Sequence, residues 1–227
     1  TLLRKVLTLQ QKQKGEGHPD TLLTLNNLAL LLGETGSLEE AEGLGRKGLR
    51  IKEEKLGPLN PETLTSVNNL AVLVMKQGKY EEAERLFRRA LAGRQQSLGK
   101  SHPETLSTTG NLAMFLERRG KLDESERLYC SVVAAADDKP EEVVHPDTWY
   151  YMATYADFLK NVGRVDEAVT VCQRALGAQQ RILGCDHPET KISLRVMRLI
   201  QDAATRNKRS STTTTRTTTN STTASAE

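Results

Sequence analysis

Five proline-led helix starts recur at nearly constant spacing, and this constrains the fold more than any other feature of the chain. His-Pro stands at 18–19, 102–103, 145–146 and 187–188, and Asn60-Pro61 fills the gap; successive steps are 42, 42, 43 and 42 residues. A period held five times marks a solenoid, in which each unit packs on its neighbours and no single central core is needed. Composition agrees, since aromatic residues are only 4% of the chain.

Each unit reads as two helices. The first opens with Pro, an acid and Thr: Pro19-Asp20-Thr21, Pro61-Glu62-Thr63, Pro103-Glu104-Thr105, Pro146-Asp147-Thr148, Pro188-Glu189-Thr190. Proline at the first helical position loses no hydrogen bond, and an acid beside it faces the positive end of the helix dipole. The preceding Asn60 suits the N-cap position well and His less well. Apolar residues then recur at helical spacing, as in Leu64, Val67, Leu70, Ala71 and Val74. Turn glycines follow at 36, 78, 120 and 163, and Gly57, Gly99 and Gly184 close second helices. Two register positions stay small: Ala29, Ala71, Ala113 and Ala156, then Ala41, Ala83, Ser125 and Ala168. Larger side chains there would hold the two helices apart. Large residues three and four places on, such as Leu86-Phe87, complete the tetratricopeptide pattern.

The runs His-Pro-Asp-Thr-Leu-x-Thr-Leu-Asn-Asn-Leu-Ala (18–29) and Gly-Lys-Tyr-Glu-Glu-Ala-Glu-Arg-Leu-Phe-Arg-Arg-Ala-Leu (78–91) resemble the 42-residue tetratricopeptide repeats of kinesin light chains and nephrocystin-3-like scaffold proteins. The fold expected is all-α, a right-handed superhelix of four helical pairs. A partial repeat covers 1–17, repeats start near 18, 60, 102 and 145, and a closing helix covers 188–205. Residues 206–227, rich in Ser and Thr and without apolar period, are expected to be a disordered tail. The third unit has Asp137-Asp138-Lys139-Pro140 in place of its closing glycine, so its second helix should stop near Ala136 with a loop to Val144. The second helix of the first full unit carries Gly43, Gly45 and Gly48, the last two where Phe87 and Ala90 fall later. It is expected to be the least stable helix, and Gly45→Ala with Gly48→Ala to stabilise it unless the glycines permit a close contact. The chain starts at Thr1 rather than Met, as a fragment does.

Charge and motifs narrow the function. Lys and Arg total 32 and Asp and Glu 29. Four of those bases (Arg206, Lys208, Arg209, Arg216) and one acid (Glu227) lie beyond residue 205, so the body is neutral and lacks the field of a nucleic-acid binder. The longest unbroken apolar run, Leu70 to Met75, is far short of the roughly 20 residues that span a bilayer. All four histidines hold the same repeat position, which spreads them apart where a metal site or catalytic dyad would need convergence. Cys185-Asp186-His187 looks like a nucleophile beside a base, but sequence neighbours are not how triads are built. Cys130, Cys172 and Cys185 form no paired motif and fit a reducing, cytoplasmic compartment, with Cys172 in the core slot of Phe87. No cofactor motif occurs and none is expected, nor is enzymatic activity.

The candidate site lies on the first helices, which the resemblance implies line the concave groove. Asn27, Asn69 and Asn111 share one position, with Thr154 in the fourth unit; Asn26 and Asn68 precede two of them. Such amides could pair with the backbone of an extended peptide, and the resemblance implies peptide contact for the three that match. Leu30, Val72 and Met114 would add an apolar strip, broken by Asp157, and Lys76 and Arg118 a basic edge. The alternative for the ladder is hydrogen bonding between helices with no ligand. The function expected is a protein–protein interaction scaffold or adaptor that binds a partly acidic peptide segment of a partner. The rivals are a kinesin light chain cargo adaptor proper, the regulatory region of a larger enzyme or signalling protein, and a structural spacer or self-associating scaffold.

Overall fold

The computed structural model of the protein describes residues 2–137 and 144–222, with side chains through residue 207. Among the described residues the chain forms ten α-helices: α1 (Leu2–Lys14), α2 (Pro19–Glu34), α3 (Leu38–Leu56), α4 (Pro61–Lys76), α5 (Tyr80–Leu98), α6 (Pro103–Arg118), α7 (Leu122–Asp137), α8 (Pro146–Asn161), α9 (Val165–Ile182) and α10 (Pro188–Thr222). Five of them begin at the five recurring prolines. The chain divides into two compact units, Thr1–Phe115 and Leu116–Glu227.

The helix starts show why a His can stand where Asn stands. Asn60 Oδ1 accepts the Glu62 amide at 2.9 Å. His18, His102, His145 and His187 do the same with Nδ1, taking the amides of Asp20, Glu104, Asp147 and Glu189 at 3.2–3.3 Å. The ring nitrogen lies where a carboxamide oxygen would lie, so the imidazole is an N-cap and better suited than residue preference suggests. The pattern makes a prediction. His102→Asn should leave the thermal midpoint unchanged, whereas His102→Ala should cost about 1 kcal/mol in a denaturation experiment.

The turns follow from backbone chirality. Between the helices of a pair φ is +87°, +79°, +74° and +87° at Gly36, Gly78, Gly120 and Gly163. The next amide turns back to the carbonyl five residues earlier: Ser37 to Leu32, Lys79 to Val74, Lys121 to Leu116 and Arg164 to Leu159, at 2.9–3.2 Å. This closes the helix C-terminus as a glycine-dependent cap. Gly57, Gly99 and Gly184 take the same φ region between pairs.

Within the first unit α2 packs on α3 and α4 on α5, and α1 lies on α2. Ala29 and Ala41 are 3% and 0% exposed, and Ala71 and Ala83 are both 0%. In the second unit α8 packs on α9, which packs on α10. Trp149, Met152, Ala175 and Ala178 form one apolar cluster there. Tyr129 stacks on Tyr155 at 5.3 Å and gives its hydroxyl hydrogen to Glu117 at 3.0 Å. Burial pushes the Glu117 carboxyl above its usual range. Cys172 is fully buried, and burial, with Asp157 adding, pushes its thiol up to about 11.

Ion pairs tie second helices together one repeat apart. Arg4 of α1 meets Glu40 of α3 at 2.6 Å; Arg46 and Glu82, and Arg89 and Glu53, link α3 to α5 at 2.6 and 2.5 Å. In the second unit Arg164 meets Glu126 and Arg174 meets Asp137. Glu42 is the most enclosed of these acids. Burial alone would raise its pKa, but hydrogen bonds from Lys79 and Arg46 outweigh that and hold the carboxyl at about 2.

The glycines of α3 differ from one another. A Cβ at Gly43 would meet nothing within 4 Å, and one at Gly45 would touch Leu70 and Leu73 at an ordinary 3.5–3.6 Å. At Gly48 it would come within 2.8 Å of a Leu25 methyl, and Leu25 is 2% exposed. The sequence treats the three alike; burial separates them. Gly43→Ala and Gly45→Ala should each raise stability by about 0.5–1 kcal/mol, and Gly48→Ala should forfeit that gain. Urea denaturation of the three single variants measures the difference.

Two expectations meet the end of the described chain. Helix α7 ends at Asp137, next to the expected stop at Ala136, and the loop expected up to Val144 falls on 138–143, outside the described residues. The closing helix, expected to end at 205, continues to Thr222. No Gly or Pro occurs after Pro188 to stop it. For the tail expected over 206–227, side chains from 208 and backbone from 223 lie outside the described residues. No described helix is long and apolar enough to cross a membrane.

Candidate peptide-binding site

The amides of the ladder are joined across repeats. Asn69 Nδ2 of α4 donates to Asn26 Oδ1 of α2 at 3.2 Å, and Asn111 Nδ2 of α6 donates to Asn68 Oδ1 of α4 at 3.4 Å. The two partners are 43 residues apart, one repeat plus one position. The Asn68-Asn69 doublet therefore faces two ways: Asn68 bonds forward to the next repeat and Asn69 backward to the previous one. Asn68 is buried, Asn26, Asn69 and Asn111 are half-buried, and Asn27 is exposed. Thr154 in the second unit bonds the Tyr150 carbonyl of its own helix at 3.0 Å.

The apolar residues expected to form a strip lie on the same first helices. Leu23 is 60% exposed and Leu30 37%, while Val72 and Met114 are half-buried. Lys76 is exposed, but its ammonium reaches back to the Gly33 carbonyl near the end of α2 at 3.3 Å. Arg118 is exposed and belongs to the second unit. In that unit Asp157, which interrupts the strip, pairs with Lys160 at 2.5 Å, and Asn161 hydrogen-bonds Glu117.

Two cations that the sequence reading passed over stand out in the first unit. Lys52 and Arg94 occupy one register position near the ends of α3 and α5 and are 8% and 4% exposed. Arg94 is tightly held. One guanidinium nitrogen donates to the Glu104 carbonyl (2.9 Å) and Thr108 Oγ1 (2.5 Å); the other donates to Thr65 Oγ1 (2.8 Å) and lies 3.1 Å from the Glu104 carboxylate. It thereby links α4 to α6. Among the described residues Lys52 has the Glu62 carbonyl at 3.4 Å and the Glu62 carboxylate at 3.6 Å. The positions matching Thr65 and Thr108 are Leu23 and Ser66. The space between α2 and α4 remains a hollow of about 330 Å³, lined by Leu23, Asn26, Lys52, Glu62 and Thr65, with Pro19 and Asp20 at its edge. Behind it Asn26, Asn69 and Lys52 border a tight apolar recess at Gly45, Gly48, Leu70 and Leu73. The signal was a basic residue recurring 42 positions apart at the end of second helices, easily taken for a solvated charge.

Elsewhere the chemistry is structural. His187 spends Nδ1 on the Glu189 amide and Asp186 pairs with Lys191 at 3.2 Å, so Cys185 stands beside an imidazole already used as a cap. Among the described residues no group of His, Cys, Asp and Glu side chains could hold a metal ion.

Stacked helix-turn-helix units, turned by positive-φ glycines and closed on paired small residues, define a repeat protein of the tetratricopeptide class. Tetratricopeptide repeat profiles match residues 1–54 and 62–138, and a second such profile matches 152–189; the chain belongs to the tetratricopeptide repeat family. A variant of a Podosopora anserina protein assigned as a kinesin light chain, built of nearly identical TPR-like repeats, is 25% identical with TM-score 0.68, over 85% of this chain and 90% of the other. BtubC (BKLC) from P. vanneervenii is 17% identical with TM-score 0.70, over 99% of this chain and 89% of the other, and shows the fold alone. No curated protein matches the chain. The fold is that of an α-helical tetratricopeptide solenoid, a scaffold typical of protein–protein interaction.

Proposed function

We propose that the chain is a non-enzymatic, cytoplasmic adaptor that binds an extended peptide segment of a partner protein across the first helices of its first unit. The carrying observation is the juxtaposition on α2 and α4 of exposed Leu23 and Leu30 with the Asn26–Asn69 pair and the adjoining hollow. Apolar surface beside convergent polar groups is the composition of a recognition site. The reading assigns the amides two duties. One donor of Asn69 and one of Asn111 hold the repeats in register, while Asn27 and the outward side of Asn69 are offered to a peptide backbone. Asn68, buried between repeats, serves the frame. Val72 and Met114 extend the apolar strip, and Lys76 is a base that acidic residues of a partner could meet.

The test uses the full chain and an array of short random-sequence peptides. Leu23→Asp with Leu30→Asp changes two exposed positions, so the melting temperature should hold while peptide retention falls at least tenfold. Unchanged retention, or no peptide retained by the native chain, contradicts the proposal.

A further inference from the structure

The two inter-repeat gaps of the first unit are built from the same register positions, yet one is closed and the other open. In the α4–α6 gap, Arg94 is bound by two threonine hydroxyls and a carbonyl. In the α2–α4 gap, Lys52 is shorter and Leu23 supplies no hydroxyl, so an ammonium with three donors has one long bond and one loose ion pair. Its side chain is nine-tenths buried and lines the hollow of about 330 Å³. A largely buried cation that lines open space keeps donors for a further acceptor, met by water until a ligand group takes its place.

We infer that this gap is the subsite for a carboxylate side chain of the bound peptide, with Lys52 Nζ as its counter-charge, the Asn26 amide beside it, and Leu23 as the platform for the peptide's neighbouring apolar residue. The inference rests on the peptide-receptor reading above and adds the position and chemistry of one anchor. The acids around the gap are compatible with an anion. Asp20 is already bonded to Lys14 at 2.5 Å, which holds its carboxyl below the usual range. Glu62 lies 3.6 Å from Lys52, but its side chain is 68% exposed, which leaves it free to turn into solvent. The neighbouring gap offers no such place, because the Thr65 and Thr108 hydroxyls already fill the acceptor positions around Arg94.

Paired peptide arrays that are identical except for a central Glu or Gln test the assignment on the full chain. The native protein should prefer Glu by about tenfold, the size expected of a charge-assisted hydrogen bond. Lys52→Met should abolish the preference without unfolding the protein. Leu23→Thr with Lys52→Arg rebuilds the closed gap and should lose the preference while raising the melting temperature. Glu62→Gln, which removes the internal competitor, should strengthen Glu-peptide binding about two- to threefold. Peptides that bind equally with Glu or Gln, or a Glu preference that survives Lys52→Met, overturn the subsite and leave the receptor reading standing; no binding of any peptide by the native chain overturns both.

Discussion

Phe87→Ala lowers the unfolding free energy by about 3–5 kcal/mol, measured by urea denaturation. Phe87 is 1% exposed, and its ring lies 5.6 Å from that of Phe115, so truncation empties the joint between α5 and α6 within the first unit. The register position is not intrinsically aromatic: it is Gly45 in α3, Tyr129 in α7 and Cys172 in α9. At Gly45 the side chains of Leu70 and Leu73 reach into the place a ring would take. Around Phe87 the neighbours are arranged about the ring, and a cavity remains when it is removed. A loss below about 1 kcal/mol would show that the joint collapses as the α3 joint does.

Arg94→Met costs about 2–3 kcal/mol, while Lys52→Met changes stability by less than about 0.5 kcal/mol. Both residues are buried cations in the same register, and the difference lies in their partners. Removing the guanidinium takes a donor from the Thr65 and Thr108 hydroxyls and a charged partner from Glu104, and unties α4 from α6. Removing the Lys52 ammonium takes one long bond from the Glu62 carbonyl, which keeps the Ser66 hydroxyl as a donor, and the methionine stem retains the packing. Paired denaturation curves measure the contrast. Equal losses would mean that Lys52 is as firmly bonded as Arg94 and would remove the physical basis of the open gap.

Features set by short-range sterics were legible in the sequence. Proline starts, positive-φ glycines and paired alanines each act within one turn or one hairpin, and their register alone gives the helix pairs. The histidine caps were legible in position but undervalued in chemistry, because Nδ1 geometry is not visible in residue preference. Long-range pairing was harder to read. The doublets Asn26-Asn27 and Asn68-Asn69 fit ligand contacts and bonds between helices alike, and only the structure shows the offset of 43 residues that sets Asn69 against Asn26 and Asn111 against Asn68. A ladder at a fixed offset carries the same signature whether it faces a ligand or the next repeat. Lys52 and Arg94 were missed because a basic residue near a helix C-terminus reads as solvated charge; only the crossing of α3 and α5 over the next first helix buries them.

The most direct measurement is amide chemical-shift mapping of the isotope-labelled full chain, titrated with the tightest Glu-bearing peptide from the paired arrays. The account predicts that the largest changes fall on Leu23, Asn26, Asn27, Lys52 and Thr65. Changes confined to the exposed faces of α3 and α5, or to residues after Phe115, would place the partner elsewhere and contradict it.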